Sequence, residues 1–142
     1  MSVLMGVSLH GLEAVLVAVE LALLSVQGPA LIATTGFGSD QVGAVYARTQ
    51  ALCADLSDRP ETFPSLWGNW VYNLVRGRLD QSISYAERMW TMGETLNASA
   101  MRVEAAWTYG NASFWSGNLR SAEHWLDKAV ALYDPQAHAS HA

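Results

Sequence analysis

Three segments of the chain start on a glycine and continue with helical spacing: Gly36-Phe-Gly-Ser-Asp-Gln-Val-Gly-Ala-Val-Tyr-Ala, Gly77-Arg-Leu-Asp-Gln-Ser-Ile-Ser-Tyr-Ala and Gly117-Asn-Leu-Arg-Ser-Ala-Glu-His-Trp-Leu. The glycines stand 41 and 40 residues apart. Eight to ten residues after each comes an aromatic followed by a small or apolar residue: Tyr46-Ala47, Tyr85-Ala86 and Trp125-Leu126. The stretches before the glycines match in the same register, since Trp67 and Trp107, Leu74 and Phe114, and Val75 and Trp115 are each 40 apart. A period of this length marks an array of supersecondary units, each of which hides its apolar face only by stacking on the next.

Within the units the periodicity is helical. Phe63, Leu66, Trp67, Trp70, Val71 and Leu74 recur at three- and four-residue steps, which places them on one stripe of a helix. Arg76-Gly77 should end that helix, because glycine adopts the left-handed stop conformation at little cost. A second helix is expected over Leu79–Leu96, with Ile83, Ala86, Met89, Trp90 and Met92 on its apolar side. Asn97-Ala98-Ser99 should cap the next start. A third pair is expected over about Ala100–Ser116 and Leu119–Tyr133, stopped by Asp134-Pro135. Upstream, Gly11–Thr35 and Ser39–Leu56 form the first pair, with Gly28-Pro29 expected to kink or break its first helix. The expected layout is a poorly defined segment 1–9, an all-α domain over 10–135 with pairs at about 10–56, 61–96 and 100–134, and a frayed tail over 136–142.

Composition narrows the function classes. The chain has 142 residues, one domain's worth, with eight basic against 13 acidic residues and a formal net charge of −5. That balance argues against a nucleic-acid binder, which needs a basic face for phosphates. A single cysteine, Cys53, leaves no intramolecular disulfide framework and no cysteine-cluster zinc site. No Lys or Arg precedes Arg48, so the start lacks the positive region of a secretory signal. Leu21–Ser39 is uncharged and nearly long enough to span a bilayer, but it contains Ser25, Gln27, Gly28-Pro29, Thr34 and Thr35 and lacks basic flanks. Glu13 and Glu20 interrupt the wider apolar region. The expectation is a buried helix of a cytoplasmic protein.

No residue pattern points to catalysis. Among the four histidines, His138 and His141 would share a face if the tail were helical, but Pro135 and the chain end favour a solvated tail over a metal site. Cys53 sits within a helix without a glycine-rich elbow, as a buried, inert thiol would. Glu61, Glu87, Glu94, Glu104 and Glu123 are spaced as solvated helix faces are. No phosphate-binding Gly-x-x-x-x-Gly-Lys-Ser/Thr loop is present, and the only lysine is Lys128. We therefore expect no enzyme activity, no cofactor and no metal.

The repeat resembles the tetratricopeptide repeat: Tyr109-Gly110, Gly117, Ala122, Leu126 and Ala129 stand at that pattern's spacing, and Pro135 lies within one residue of its closing proline. Gly110 and Ala122 would let two helix backbones approach, with Leu126 filling the groove beside them. The middle unit departs from the pattern, with Trp70 where glycine would stand and Ser82 in place of alanine. Over residues 20–141 the chain is also similar to the helical-repeat region of large bacterial signalling proteins that join an adenylate/guanylate cyclase module and a predicted ATPase to a tetratricopeptide tail. That likeness rests on Glu-Leu-Ala-Leu-Leu (20–24), Gly-Pro-Ala-Leu-Ile-Ala-Thr (28–34), Val-Tyr-Ala-Arg-Thr-Gln-Ala-Leu-Cys (45–53), Phe-Pro-Ser-Leu-Trp-Gly (63–68), Leu-Val-Arg-Gly (74–77) and Ala-Leu-Tyr-Asp-Pro-Gln-Ala-His-Ala-Ser-His (131–141). Residues 1–19 do not share it, and the catalytic modules are absent, so the chain reads as a segment or truncated frame of a larger protein.

The resemblance implies a right-handed superhelix of three antiparallel helix pairs acting as a non-catalytic interaction or scaffold module. Six tryptophans lie between Trp67 and Trp125. Trp70, Trp90 and Trp125 fall on stripes expected to be buried. In the tetratricopeptide register Trp67 and Trp107 lie on the first helix of a pair, which faces the concave groove, where with Val71 and Asn111 they could form a peptide site. The implied partner is a protein or peptide, or the rest of a larger chain. The first pair lacks charge for an exposed face and should be sticky, dimerising or packing on upstream sequence. The rival readings are a small-molecule sensor or enzyme using the groove, and a remnant without function.

Overall fold

The structure, a computed structural model, describes residues 9–53 and 60–138. It is all-helical: α1 (Leu9–Thr35), α2 (Asp40–Cys53), a 3-10 turn (Pro60–Thr62), α3 (Phe63–Val75), α4 (Leu79–Thr95), α5 (Ser99–Trp115) and α6 (Leu119–Leu132), with no strand among the described residues. Each helix packs on the next in sequence, and α1 also touches α3, as α3 touches α5, across the helix between. The expected helix ends after residue 60 hold to within one residue. The expected connection over residues 57–60 and the last turn of the second helix fall largely outside the described residues.

Helix ends explain the period. At Gly77 the N–H bonds to the Leu74 carbonyl, and the following Arg78 N–H reaches back to Asn73. The same pair of bonds recurs at Gly117 and Asn118, to Phe114 and Ser113, and at Asn97 and Ala98, to Glu94 and Gly93. All three stop residues are left-handed, with φ of 71°, 81° and 49°. This is the Schellman arrangement, which satisfies carbonyls the helix itself leaves open. It recurs every 20 residues, so one helix and its turn make half a unit. Asn97 thus stops α4, whereas it was expected to help cap α5: the N-cap of α5 is Ala98, with no side-chain cap. Asn is the residue other than glycine that best tolerates φ above zero.

Packing density differs along the chain. Leu66, Trp70, Val71, Ala86, Met89, Met92 and Ala105 form a buried core among α3, α4 and α5. Gly110 sits so close to α6 that a Cβ there would lie 2.7 Å from Leu126 Cγ, which is the close approach expected. Ser82, fully buried, donates its hydroxyl hydrogen to the Trp70 carbonyl at 3.1 Å, so the two departures of the middle unit pack on each other. A closer approach had no obvious sequence signal: a Cβ on Gly68 would lie 2.0 Å from the Tyr46 ring, and one on Gly28 would lie 3.2 Å from its hydroxyl. Tyr46 is therefore seated between α1 and α3 on two glycines.

Two expectations about α1 need correction. Of the kink or break expected at Gly28-Pro29, the break is absent: the helix continues through Pro29 from Leu9 to Thr35. Gly28 packs on Tyr46 just before the proline, and the Thr34 and Thr35 hydroxyls bond back to the carbonyls of Ala30 and Leu31 just after it. Nor is α1 buried. Val17, Leu21, Leu24, Gly28 and Leu31 lie on its less exposed side, but Leu12, Val15, Leu16, Val19, Leu23 and Val26 are each 50–72% exposed. Among the described residues its main neighbours are α2 and, more slightly, α3, which cover one side of it.

Candidate functional site: an aromatic cleft on α5 and α6

A cleft of about 450 Å³ opens where α3, α5 and the end of α6 meet. Its walls are Trp67 from α3, Val103, Glu104 and Trp107 from α5, Ala129 and Val130 from α6, and Tyr133 just beyond. Trp67 is held by its indole N–H, which donates to Glu104 Oε1 at 2.8 Å. Trp70 lies behind it, with ring centroids 5.9 Å from Trp67 and 5.4 Å from Trp107. The Trp70 indole N–H is satisfied by the Thr108 carbonyl at 3.1 Å. Trp107 itself is 41% exposed, and its indole N–H makes no hydrogen bond within the described residues.

Of the four residues expected to form a peptide site, the structure brings Trp67 and Trp107 together in this cleft. Val71, 9% exposed, belongs to the buried core with Trp70 and Met89 and does not line the cleft. Asn111, one turn beyond Trp107, is half-buried and does not line the cleft. The wall residues missed by sequence, Val103, Glu104, Val130 and Tyr133, carry a signal that periodicity alone could have supplied: Val103 and Trp107 stand 40 residues after Phe63 and Trp67.

Tyr133 is positioned by a turn where a frayed tail was expected. His138 is only 3% exposed. Its Nδ1 accepts the Asp134 N–H at 2.9 Å, its own N–H donates to the Asp134 carbonyl at 2.8 Å, and its ring lies 5.7 Å from Tyr133. With Nδ1 accepting, the hydrogen sits on Nε2 and points to Ser99 Oγ at 3.2 Å, at the start of α5. Asp134 Oδ1 accepts the Gln136 N–H, completing an Asx turn across Pro135. His141 lies outside the described residues.

On the far side, Lys128 Nζ lies 4.6 Å from the Trp90 ring and 4.5 Å from the Trp125 ring. Those indoles meet edge to face, and Tyr109 stacks on Trp125 at 4.4 Å. Trp90 and Trp125 are half-buried rather than fully so. Burial, helped by a hydrogen bond to Glu87, raises the Tyr109 phenol above its ordinary value. This cluster is filled by the chain's own cation.

Cys53 is buried, and desolvation raises its thiol above the ordinary value, which disfavours the nucleophilic thiolate. Among the described residues no three His, Cys, Asp or Glu side chains gather to hold a metal ion. The cleft's one carboxylate among its lining residues, Glu104, is engaged by Trp67. No family model, curated protein or solved structure matches the chain.

Proposed function

We propose that the chain is a non-catalytic interaction module of tetratricopeptide-like build, a right-handed array of three helix pairs, whose cleft around Trp107 receives an amphipathic helix of a protein partner. The carrying observation is an internal equivalence. Val103, Trp107, Ala129 and Tyr133 stand 40 residues after Phe63, Trp67, Met89 and Gly93. The earlier surface is already covered, and its cover is α5: Glu104 accepts from Trp67, Thr108 meets Met89 Sδ at 4.0 Å, and a Cβ on Gly93 would lie 2.9 Å from Arg102. The later surface lacks that cover among the described residues. The ligand that fits it is a helix like α5, with a carboxylate for the Trp107 indole N–H and, one turn on, a small side chain against Ala129. Recognition of an amphipathic helix in an apolar groove is a standard mode of peptide binding.

The repeated turns at Gly77, Asn97 and Gly117, and the contacts of α1 with α3 and of α3 with α5, support the array. The sequence likeness supports a place in a cytoplasmic signalling chain of the cyclase/ATPase type, as its scaffold or relay.

The probe is a synthetic peptide of residues 99–115, titrated into the full chain by calorimetry. Saturable binding is expected, weakened at least tenfold when the peptide carries Glu104→Gln or the protein carries Trp107→Ala, with the helical circular dichroism of the protein unchanged. Absence of binding by the folded chain, or binding indifferent to both changes, would overturn the proposal.

A further inference from the structure

The exposed residues of α1 are not scattered. Leu12, Leu16, Val19, Leu23 and Val26 follow one another at steps of four, three, four and three, and Ala30 continues the series. That is the 3.5-residue recurrence of a helix seam that packs on another helix. The covered side repeats it, since Val17, Leu21, Leu24, Gly28 and Leu31 step in the same way toward α2 and α3. So α1 carries two seams, one occupied and one open.

Lipid does not fit the open seam. Gly11–Thr35 has the length and hydropathy to cross a membrane. However, Glu20 is clamped to Arg48 of α2 through bonds of 2.6 and 2.9 Å, and Gly28 is clamped to Tyr46. From Glu20 onward α1 is therefore sided by a helix carrying Asp40, Gln41, Arg48 and Gln50. Lipid around α1 would therefore meet that helix's polar and charged side chains as well, at a cost of several kcal/mol for an ionised group near the bilayer centre.

We propose that the open seam of α1 is the interface of a reversible antiparallel homodimer, each copy covering the other's seam. The spacing is nearly palindromic about Val19. Antiparallel pairing sets Leu12 against Val26, Leu16 against Leu23 and Val19 against its own symmetry mate, so one two-fold axis satisfies all five layers. Charge selects the same orientation. With no basic residue on α1, a parallel pair would bring Glu13 beside Glu13, whereas the antiparallel one brings Glu13 beside Ser25. The antiparallel arrangement also opposes the helix dipoles. The five large side chains of the seam expose on the order of 400 Å² per copy, enough to mark an interaction patch but below the size of a stable interface. Association is therefore concentration-dependent.

The test is sedimentation of the full chain over a wide concentration range. The apparent mass should rise from 15.4 kDa toward twice that value, and Leu16→Glu with Leu23→Glu should raise the dimer Kd at least tenfold. In a Cys53→Ser background, oxidation should cross-link Val19→Cys to itself. It should also join Leu12→Cys to Val26→Cys in a mixture, and leave Leu12→Cys alone uncoupled. These pairings carry the test if the glutamate variant does not fold. A chain monomeric at every concentration, a dimer indifferent to the glutamates, self-coupling of Leu12→Cys, or uptake of the folded chain by phosphatidylcholine vesicles would overturn the proposal.

Discussion

The two ends of the molecule solve the same packing problem with different completeness. Among α3, α4 and α5 the core side chains are enclosed: Trp70 is 2% exposed, its indole N–H is used, and three Schellman turns close these helices at 20-residue intervals. In α1 the apolar content is higher, yet Gly28 is its one buried residue among those described. Apolar composition alone does not bury a helix. What the α3–α5 core has, and the outer face of α1 lacks among the described residues, is a packed neighbour, since in a stacked array every unit depends on the next for cover.

The sharpest contrast should come from truncating one large apolar side chain in each region. Trp70→Ala removes a buried ring together with its indole bond to the Thr108 carbonyl, and should cost about 3–5 kcal/mol in urea unfolding. Leu23→Ala, from a side chain 66% exposed, should shift the dilute, monomeric chain by less than about 0.5 kcal/mol. Comparable losses would erase the distinction.

Gly68→Ala probes the joint between the regions. Its Cβ would overlap the Tyr46 ring, which is buried and cannot swing away, so a loss of about 1–3 kcal/mol is expected. Tyr46→Leu should recover part of that loss in the double variant, because the overlap is with the ring. A cost unaltered by Tyr46→Leu would place the strain elsewhere.

The smallest effect concerns the ion pair. The hydrogen bond from Arg48, and secondarily its charge, hold the exposed Glu20 carboxyl below its ordinary value of 4.5. A carboxyl lowered on folding stabilises the fold above its unfolded value, and that contribution disappears as the pH falls through the lowered one. Glu20→Gln should therefore flatten stability slightly on the acid side and leave α3–α6 unaffected. A steeper acid loss in the variant would contradict the pairing.

Much of this arrangement was legible in the residues. Glycine spacing gave the helix ends because Gly36, Gly77 and Gly117 are all left-handed, and three- and four-residue steps gave the α3 stripe. Asn97 was misread because an asparagine before Ala-Ser suits either a stop or a start, and only backbone φ separates them. The unbroken passage through Pro29 depends on long-range packing of Gly28 on Tyr46, which local propensity does not encode. Val71 is expected at the groove from the tetratricopeptide register, which fixes which helix of a pair faces the groove but not which of its side chains are buried in the core. The turn at His138 combines a local signal, the Asx turn at Asp134-Pro135, with a contact to Ser99, 39 residues away, that local sequence does not announce.

Hydrogen exchange of the full chain, followed at two widely separated protein concentrations, tests the contrast most directly. Amides of α3–α6 should be strongly protected and indifferent to concentration, while those of α1 should exchange orders of magnitude faster when dilute and slow as the chain is concentrated. Protection of α1 equal to that of α5 in the dilute sample would contradict both the uneven packing and the open seam.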